Sequence, residues 1–305
     1  MSSTVRSPLE GLEAVNWAEL HHAYGSAEDV PGRLTALLSA DAEERHQAHA
    51  QLRGNVYHQG TRWQASRHVV PFLTELADDP ATPDRPAVVD LLRAVALGDR
   101  DDTCLPFEPD REFAKADNVT STDVATVVDW LYSEDDEDDE PEECDAVAVS
   151  WDRDAYLAAA AISDRFVAWT NDPDPVVAAI AAELLAWFPA TQRAISHLTE
   201  VSETEEHRMA RASANLSLGY LAPDEPAIDD RLTALLAAGT FGVQLTAAVA
   251  LAIRLGEQIP DAGLQVIAEA HDHAHEISGT AFPIPWNRSL LGFAALALYR
   301  IGLSP

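Results

Sequence analysis

The sequence predicts an all-α protein, an α-solenoid of stacked antiparallel helix pairs, and three observations carry that reading. The first is one helix with its start and stop written in, between Asp172 and Pro189. Asp174 stands where a carboxylate accepts a free backbone N–H of the first turn, and Pro175 brings a preset φ with no N–H to leave orphaned. Val177, Ile180, Leu184 and Phe188 then recur at helical spacing, and Pro189 closes the run. The second is the alanine on its remaining faces, which lets neighbouring helices approach on more than one side. The third is recurrence. An apolar helix, a short acidic or Pro-bearing turn and a second apolar helix return along the chain at intervals of roughly 30 to 45 residues, the period of helical repeats.

Residues 12–100 read as a first group of helical repeats. Residues 16–24 form a helix ended by Gly25, and Asp29 with Pro31 starts a second that carries Leu34, Leu37 and Leu38. A third begins at Asp41. On it Arg45, His49 and Arg53 fall at i, i+4 and i+8, one cationic stripe. Two readings of the stripe stand: it receives acidic groups of a partner, or it pairs with the surplus of surface carboxylates. Between this helix and the next, Gly54 and Gly60 bracket Asn55, Tyr57, His58 and Gln59, with Trp63 just beyond. Loops on a rigid scaffold commonly carry binding groups, so this is the most site-like stretch. Asn and His in such a place also cap helix ends and satisfy buried backbone. Residues 69–76 and 86–97 make the next pair, and Gly98 terminates it.

Residues 101–150 read as an acidic insertion with one helix. Periodicity fades over 99–118, an amphipathic segment occupies 122–132, and from Glu134 to Glu143 every residue but Pro141 is acidic. Like-charge repulsion at that density opposes compact folding and predicts disorder. The run contains no glycine for the sharp turn of a calcium loop. A solvated linker, a mimic of nucleic-acid phosphate and a trap for a basic partner remain as its readings.

Residues 151–303 resume the array. Helices are expected over 155–169, 190–200 with 207–221, 228–238 with 243–255, 263–274 and 287–301. Arg208, Arg211 and Asn215 form a second polar stripe on what would be the inner helix of its pair, the surface solenoids present to partners. With Arg45, His49 and Arg53 they outline a groove for acidic groups, surface ion pairing being the competing reading. The last helix is unusually apolar for a terminal cap, which points to a homodimer through it.

Composition excludes more than it selects. Lys+Arg 20 against Asp+Glu 51 leaves a net charge of −31, the wrong sign for a surface that contacts nucleic-acid phosphates or anionic lipid. Lys115 is the single lysine, a bias that fits a GC-rich genome or adaptation to high salt. No apolar run approaches the roughly 20 residues of a membrane span, and the first ten residues lack the apolar core of a signal peptide, so a cytoplasmic protein is expected. Cys104 and Cys144 fit no paired pattern and read as free thiols. Phosphate-loop, nucleophile-elbow and zinc-protease motifs do not occur, and no cofactor is expected. His271, His273 and His275 are the best metal candidates, but helical geometry puts only two of them on one face.

Several segments together resemble the HEAT-repeat (armadillo-like) proteins of high-GC actinobacteria: His22 to Ala27 with Asp29-Val30-Pro31, Asn55 to Thr61, Val70-Pro71-Phe72-Leu73, Asp172 to Pro175, and Leu184 to Pro189. The resemblance covers roughly residues 16–255. Its Asp-Pro turns are generic to HEAT repeats, whereas the Asn55 to Thr61 loop is more particular to that group. It implies a curved α-solenoid used for protein interaction, with no catalytic role to carry over. The expected function is therefore a non-catalytic scaffold that binds another protein, a basic one, through the concave face of an acidic solenoid, as an immunity or antitoxin-like protein does. The alternative is a HEAT-like enzyme, bilin-lyase-like or DNA-glycosylase-like, although −31 opposes a DNA substrate.

Overall fold

A computed structural model describes residues 9–133, 139–237, 240–272, 286 and 288–303. These are mostly helical, and the strands among them are two hairpins with arms of two residues. The all-α class holds. No helix among the described residues is long and apolar enough to cross a membrane. The chain forms two compact units, Met1–Asp99 with Glu108–Ile162, and Arg100–Phe107 with Ser163–Pro305.

In the first unit α1 (Val30–Ala36) packs against α2 (Ala42–Val56), and α3 (Ser66–Asp78) against α4 (Arg85–Leu97). Asp41 caps α2 by accepting the Glu43 N–H at 2.9 Å, as its position predicts. After α5 (Pro109–Glu112) and α6 (Ser121–Leu131), α7 (Cys144–Ala160) packs against both α3 and α4. The expected insertion at 101–150 is thus divided differently. Residues 108–162 belong with the N-terminal helices, Arg100–Phe107 belong to the second unit, and α7 runs through the expected boundary at 150. Residues 134–138, half of the acidic run, lie outside the described residues.

Two short stretches depart from the helical expectation. Residues 16–24 are a 3-10 turn, Trp17–Glu19, and the hairpin His21–His22/Gly25–Ser26. The His22 ring explains this: Nδ1 accepts the Tyr24 N–H at 3.1 Å while Nε2–H donates to Asp29 at 2.9 Å. Side-chain bonds of that kind offer the backbone an alternative to the helix. The second hairpin, Tyr57–His58/Thr61–Arg62, turns through Gln59 (φ 49°) and Gly60 (φ 88°), the paired positive φ of a tight two-residue turn.

In the second unit α8 (Ser163–Trp169), α10 (Gln192–Glu200) and α12 (Pro226–Leu235) pack respectively against α9 (Pro175–Leu184), α11 (Arg208–Tyr220) and α13 (Phe241–Leu255). α9, α11 and α13 also pack in series. Asp174 caps α9, its Oδ1 accepting Val176 N–H at 2.9 Å and Val177 N–H at 3.3 Å. The helix stops at Leu184 rather than Phe188, yet residues through Phe188 stay buried. Each fully buried Val, Leu or Ile there contributes roughly 1.5–3 kcal/mol. Small residues set the spacing. Ser213 and Ser217 of α11 donate to Ala179 O (2.7 Å) and Ala182 O (2.6 Å) of α9, and a Cβ at Gly219 would stand 3.1 Å from Ala250 Cα of α13.

α14 (Asp261–Asp272) and α15 (Leu290–Arg300) complete this unit. Phe293, Ala294, Ala297 and Ile301 of the last helical segment are buried, and α15 packs against α13 and α14. Part of the apolar face that suggested a dimer partner is thus covered within the chain, while Leu291 and Leu298 are half-buried. Residues 155–169, expected as one helix, are the end of α7 and the whole of α8. The sequence has neither Pro nor Gly at that break, so nothing local announces it.

Candidate functional site

A cleft of about 500 Å³ opens in the first unit, between the first hairpin, the start of α3, α6 and α7. Its apolar wall is a pair of indoles, Trp63 and Trp151, stacked with centroids 5.7 Å apart and planes 30° from parallel. Trp151 is buried on α7 with Val147, and Val127 and Val128 of α6 complete the cluster under it. Trp63 is held by Ser66, whose Oγ accepts the Trp63 backbone N–H at 2.7 Å and donates to Val56 O at 2.6 Å. That buried serine ties the second hairpin to the start of α3. The Trp63 indole N–H is itself buried with no acceptor among the described residues.

The polar wall is made by neighbouring pairs. His21 Nδ1–H donates to Gln64 Oε1 at 3.0 Å, and the His21 ring stacks on Tyr132 at 5.2 Å. Tyr132 OH donates to His22 O at 2.5 Å, and burial pushes its phenol up to about 12. Arg67 donates to His68 Nε2 at 3.0 Å and to Asp154 at 2.8 Å. Burial first, then the Arg67 charge, lowers the His68 pKa, which keeps its ring neutral and able to accept that bond. Glu19 and Asp129 also line the cleft, both exposed, and neither meets a cation among the described residues.

Of the residues singled out from sequence, only Trp63 lines this cleft. The stripe Arg45, His49, Arg53 faces α4: Arg45 donates to Asp84 (2.7 Å), His49 to Ala87 O (3.0 Å) and Arg53 to Asp90 (3.0 Å). Its donors are engaged inside the unit. Asn55 is buried and its side chain donates to Asp29 at 2.9 Å, while its backbone carbonyl accepts the Ala23 N–H at 3.0 Å, so it ties α2 to the first hairpin. Tyr57 OH donates to Asp99, and burial with that carboxylate pushes the phenol up to about 12. His58 meets the exposed Tyr24 hydroxyl at 3.3 Å, and Gln59 occupies the turn. Arg208 pairs with Glu205.

Arg211 and Asn215 correct the second stripe, since both are 0% exposed. α11 lies between α9, α10 and α13, so its polar side chains bond inward. Arg211 donates to Asn215 Oδ1 (2.9 Å) and to Thr199 O (3.1 Å), and Asn215 donates to Val243 O (3.2 Å). Burial pulls the Arg211 pKa down to about 9. Neither side chain reaches a partner surface. Cys104 and Cys144 are free, as expected. No group of three metal-ligating side chains occurs among the described residues; His273 and His275 lie outside them.

The cleft residues that sequence reasoning missed are Glu19, His21, Gln64, Arg67, His68, Asp129 and Asp154. The adjacent Arg67-His68 pair was the one visible signal. Their partners lie far off in sequence, Gln64 being 43 residues from His21 and Asp154 being 87 from Arg67, so no local pattern joins them. No protein-family model matches the chain, nor does any curated protein. What bears on function is the site and the charge, since a fold does not fix a function.

Proposed function

We propose that this chain is a non-catalytic, cytoplasmic protein-binding module, a HEAT-like α-solenoid whose acidic surface engages a cationic protein. The observation that carries the reading is how the positive charge is used. Arginines are few, and Arg45, Arg53, Arg62, Arg67, Arg231, Arg254 and Arg288 each pair with a carboxylate of the chain itself. The chain has 51 acidic residues to 20 basic ones, and among the described residues Asp102 and Glu183 are the acidic side chains that are buried. A surface of that sign steers a basic partner and repels nucleic acid. The serial packing of α9, α11 and α13, each with an outer companion, supports the solenoid half of the proposal.

An immunity or antitoxin-like role, in which the acidic surface covers a basic toxin or nuclease, is the form we favour. The test is the salt dependence of capture. A partner held by this field is released as ionic strength rises and the screening length falls below about 8 Å. A partner that is acidic, or one equally well held at high salt, contradicts the proposal. The enzyme alternative draws on His21 and His68 in the cleft, but both rings are already engaged, by Gln64 and Arg67.

A further inference from the structure

We infer that the cleft walled by Trp63 and Trp151 receives an arginine side chain of the cationic partner. The inference rests on the reading above and assigns it a place. Three carboxylates line the cleft, Glu19, Asp129 and Asp154, against one guanidinium, Arg67. Arg67 already neutralises Asp154 at 2.8 Å, which leaves Glu19 and Asp129 without a cation among the described residues. His68 is held neutral by burial and the Arg67 charge, so its imidazole does not supply the missing charge, and His21 Nδ1–H is engaged by Gln64.

The indole wall decides between cations. A guanidinium is planar, weakly hydrated and stacks on aromatic faces, and its fork matches a carboxylate with two parallel bonds, whereas an ammonium is a compact point charge that keeps its water. Indole is also the strongest aromatic partner for a cation. At about 500 Å³ the cleft falls within the ~300–1,000 Å³ of pockets that bury a ligand. An anion fits poorly: the single arginine is engaged, and Glu19 and Asp129 would repel it.

The test titrates the full chain with the peptide acetyl-Gly-Arg-Gly-amide and with its citrulline counterpart, which keeps the shape and loses the charge. The readout is the indole N–H resonances, assigned with Trp63→Phe and Trp151→Phe. The expected result is a saturable shift of both indoles with the arginine peptide, and at least tenfold weaker binding of the citrulline peptide. The double variant Glu19→Gln/Asp129→Asn should lose at least tenfold as well. Both side chains are exposed and pair with no cation among the described residues, so these isosteric changes leave the fold in place. Equal binding of both peptides, equal binding by the variant, or unmoved indoles overturns the assignment.

A second arm separates this from the broader reading. Poly-L-arginine is titrated against both proteins over a salt series. If it binds wild type with steep salt dependence while the indoles stay still and the variant binds equally, the cleft assignment falls and the acidic-surface reading stands. If poly-L-arginine does not bind wild type at low salt, both fall.

Discussion

Replacing Gly98 by alanine puts a methyl group where the Arg62 guanidinium lies. The added Cβ would overlap Arg62 Nη1, approach its Cζ to 2.7 Å and stand 3.0 Å from Gly60 O. Gly98 also sits at φ 67°, ψ −141°, a conformation only glycine adopts freely. Arg62 has nowhere to go: its side chain is 1% exposed, it donates to Gly60 O at 2.7 Å, and it pairs with Asp152 at 2.8 Å. Backbone strain at such a residue costs about 1–3 kcal/mol. Breaking a buried ion pair by removing one partner costs about 3–5 kcal/mol, a figure reduced here because Asp152 is 22% exposed. The sum, about 3–6 kcal/mol, is a large part of the ~5–15 kcal/mol that stabilises a domain. Urea unfolding followed by tryptophan fluorescence reads it, because Trp63 and Trp151 lie in the same unit as Arg62. The second half of the test is a double-mutant cycle. If the clash with Arg62 is the cause, Gly98→Ala costs at least ~1 kcal/mol less in an Arg62→Met background. Gly32→Ala is the control, since nothing lies within 4 Å of its Cβ and it stands in α1; it should stabilise by about 0.4–1 kcal/mol. A Gly98→Ala midpoint equal to wild type, or full additivity with Arg62→Met, refutes the interlock.

Asp174→Ala removes the acceptor of two N–H groups and should destabilise the second unit by about 1 kcal/mol in the same urea assay. Asn55→Ala deletes a buried amide and its bond to the Asp29 carboxylate, which keeps His22, and should cost about 1–3 kcal/mol, whereas His58→Ala, with one bond to an exposed Tyr24, should stay within about 0.5 kcal/mol. The phenols of Tyr57 and Tyr132 are pushed up from 10 to about 12 by burial, so the folded state keeps protons that the unfolded state releases. Their contribution to stability is whole below pH 10 and is lost as pH rises from 10 to about 12. Absorbance of the phenolates should lag in the folded chain, and Tyr132→Phe should soften the alkaline loss of stability; an ordinary midpoint near 10 for every tyrosine would contradict the burial.

The elements legible in sequence are those whose signal is local. Asp41 and Asp174 cap the helices they precede, Gly98 ends α4, and the periodic stripes of α3, α4, α11 and α13 fall where expected. What local pattern could not supply is burial in three dimensions. Arg211 and Asn215 read as a surface stripe because polar residues at helical spacing normally face water; α11 is enclosed by three helices, and carbonyls replace the water. The two hairpins were hidden by their length, two residues in each arm, too short for alternation to show. α7 was obscured by the acidic run ahead of it. The cleft was least visible of all, since it joins side chains from four segments, and only Trp63 stood out beforehand.

Engagement of a cationic protein is tested most directly by affinity capture with the full chain from an extract of its source cells, washed in parallel at low salt and at ~500 mM, where the screening length is only a few ångströms. The predicted result is a basic protein, identified by mass, retained at low salt and released at high salt. Capture of an acidic or neutral protein that survives the high-salt wash would contradict the proposal.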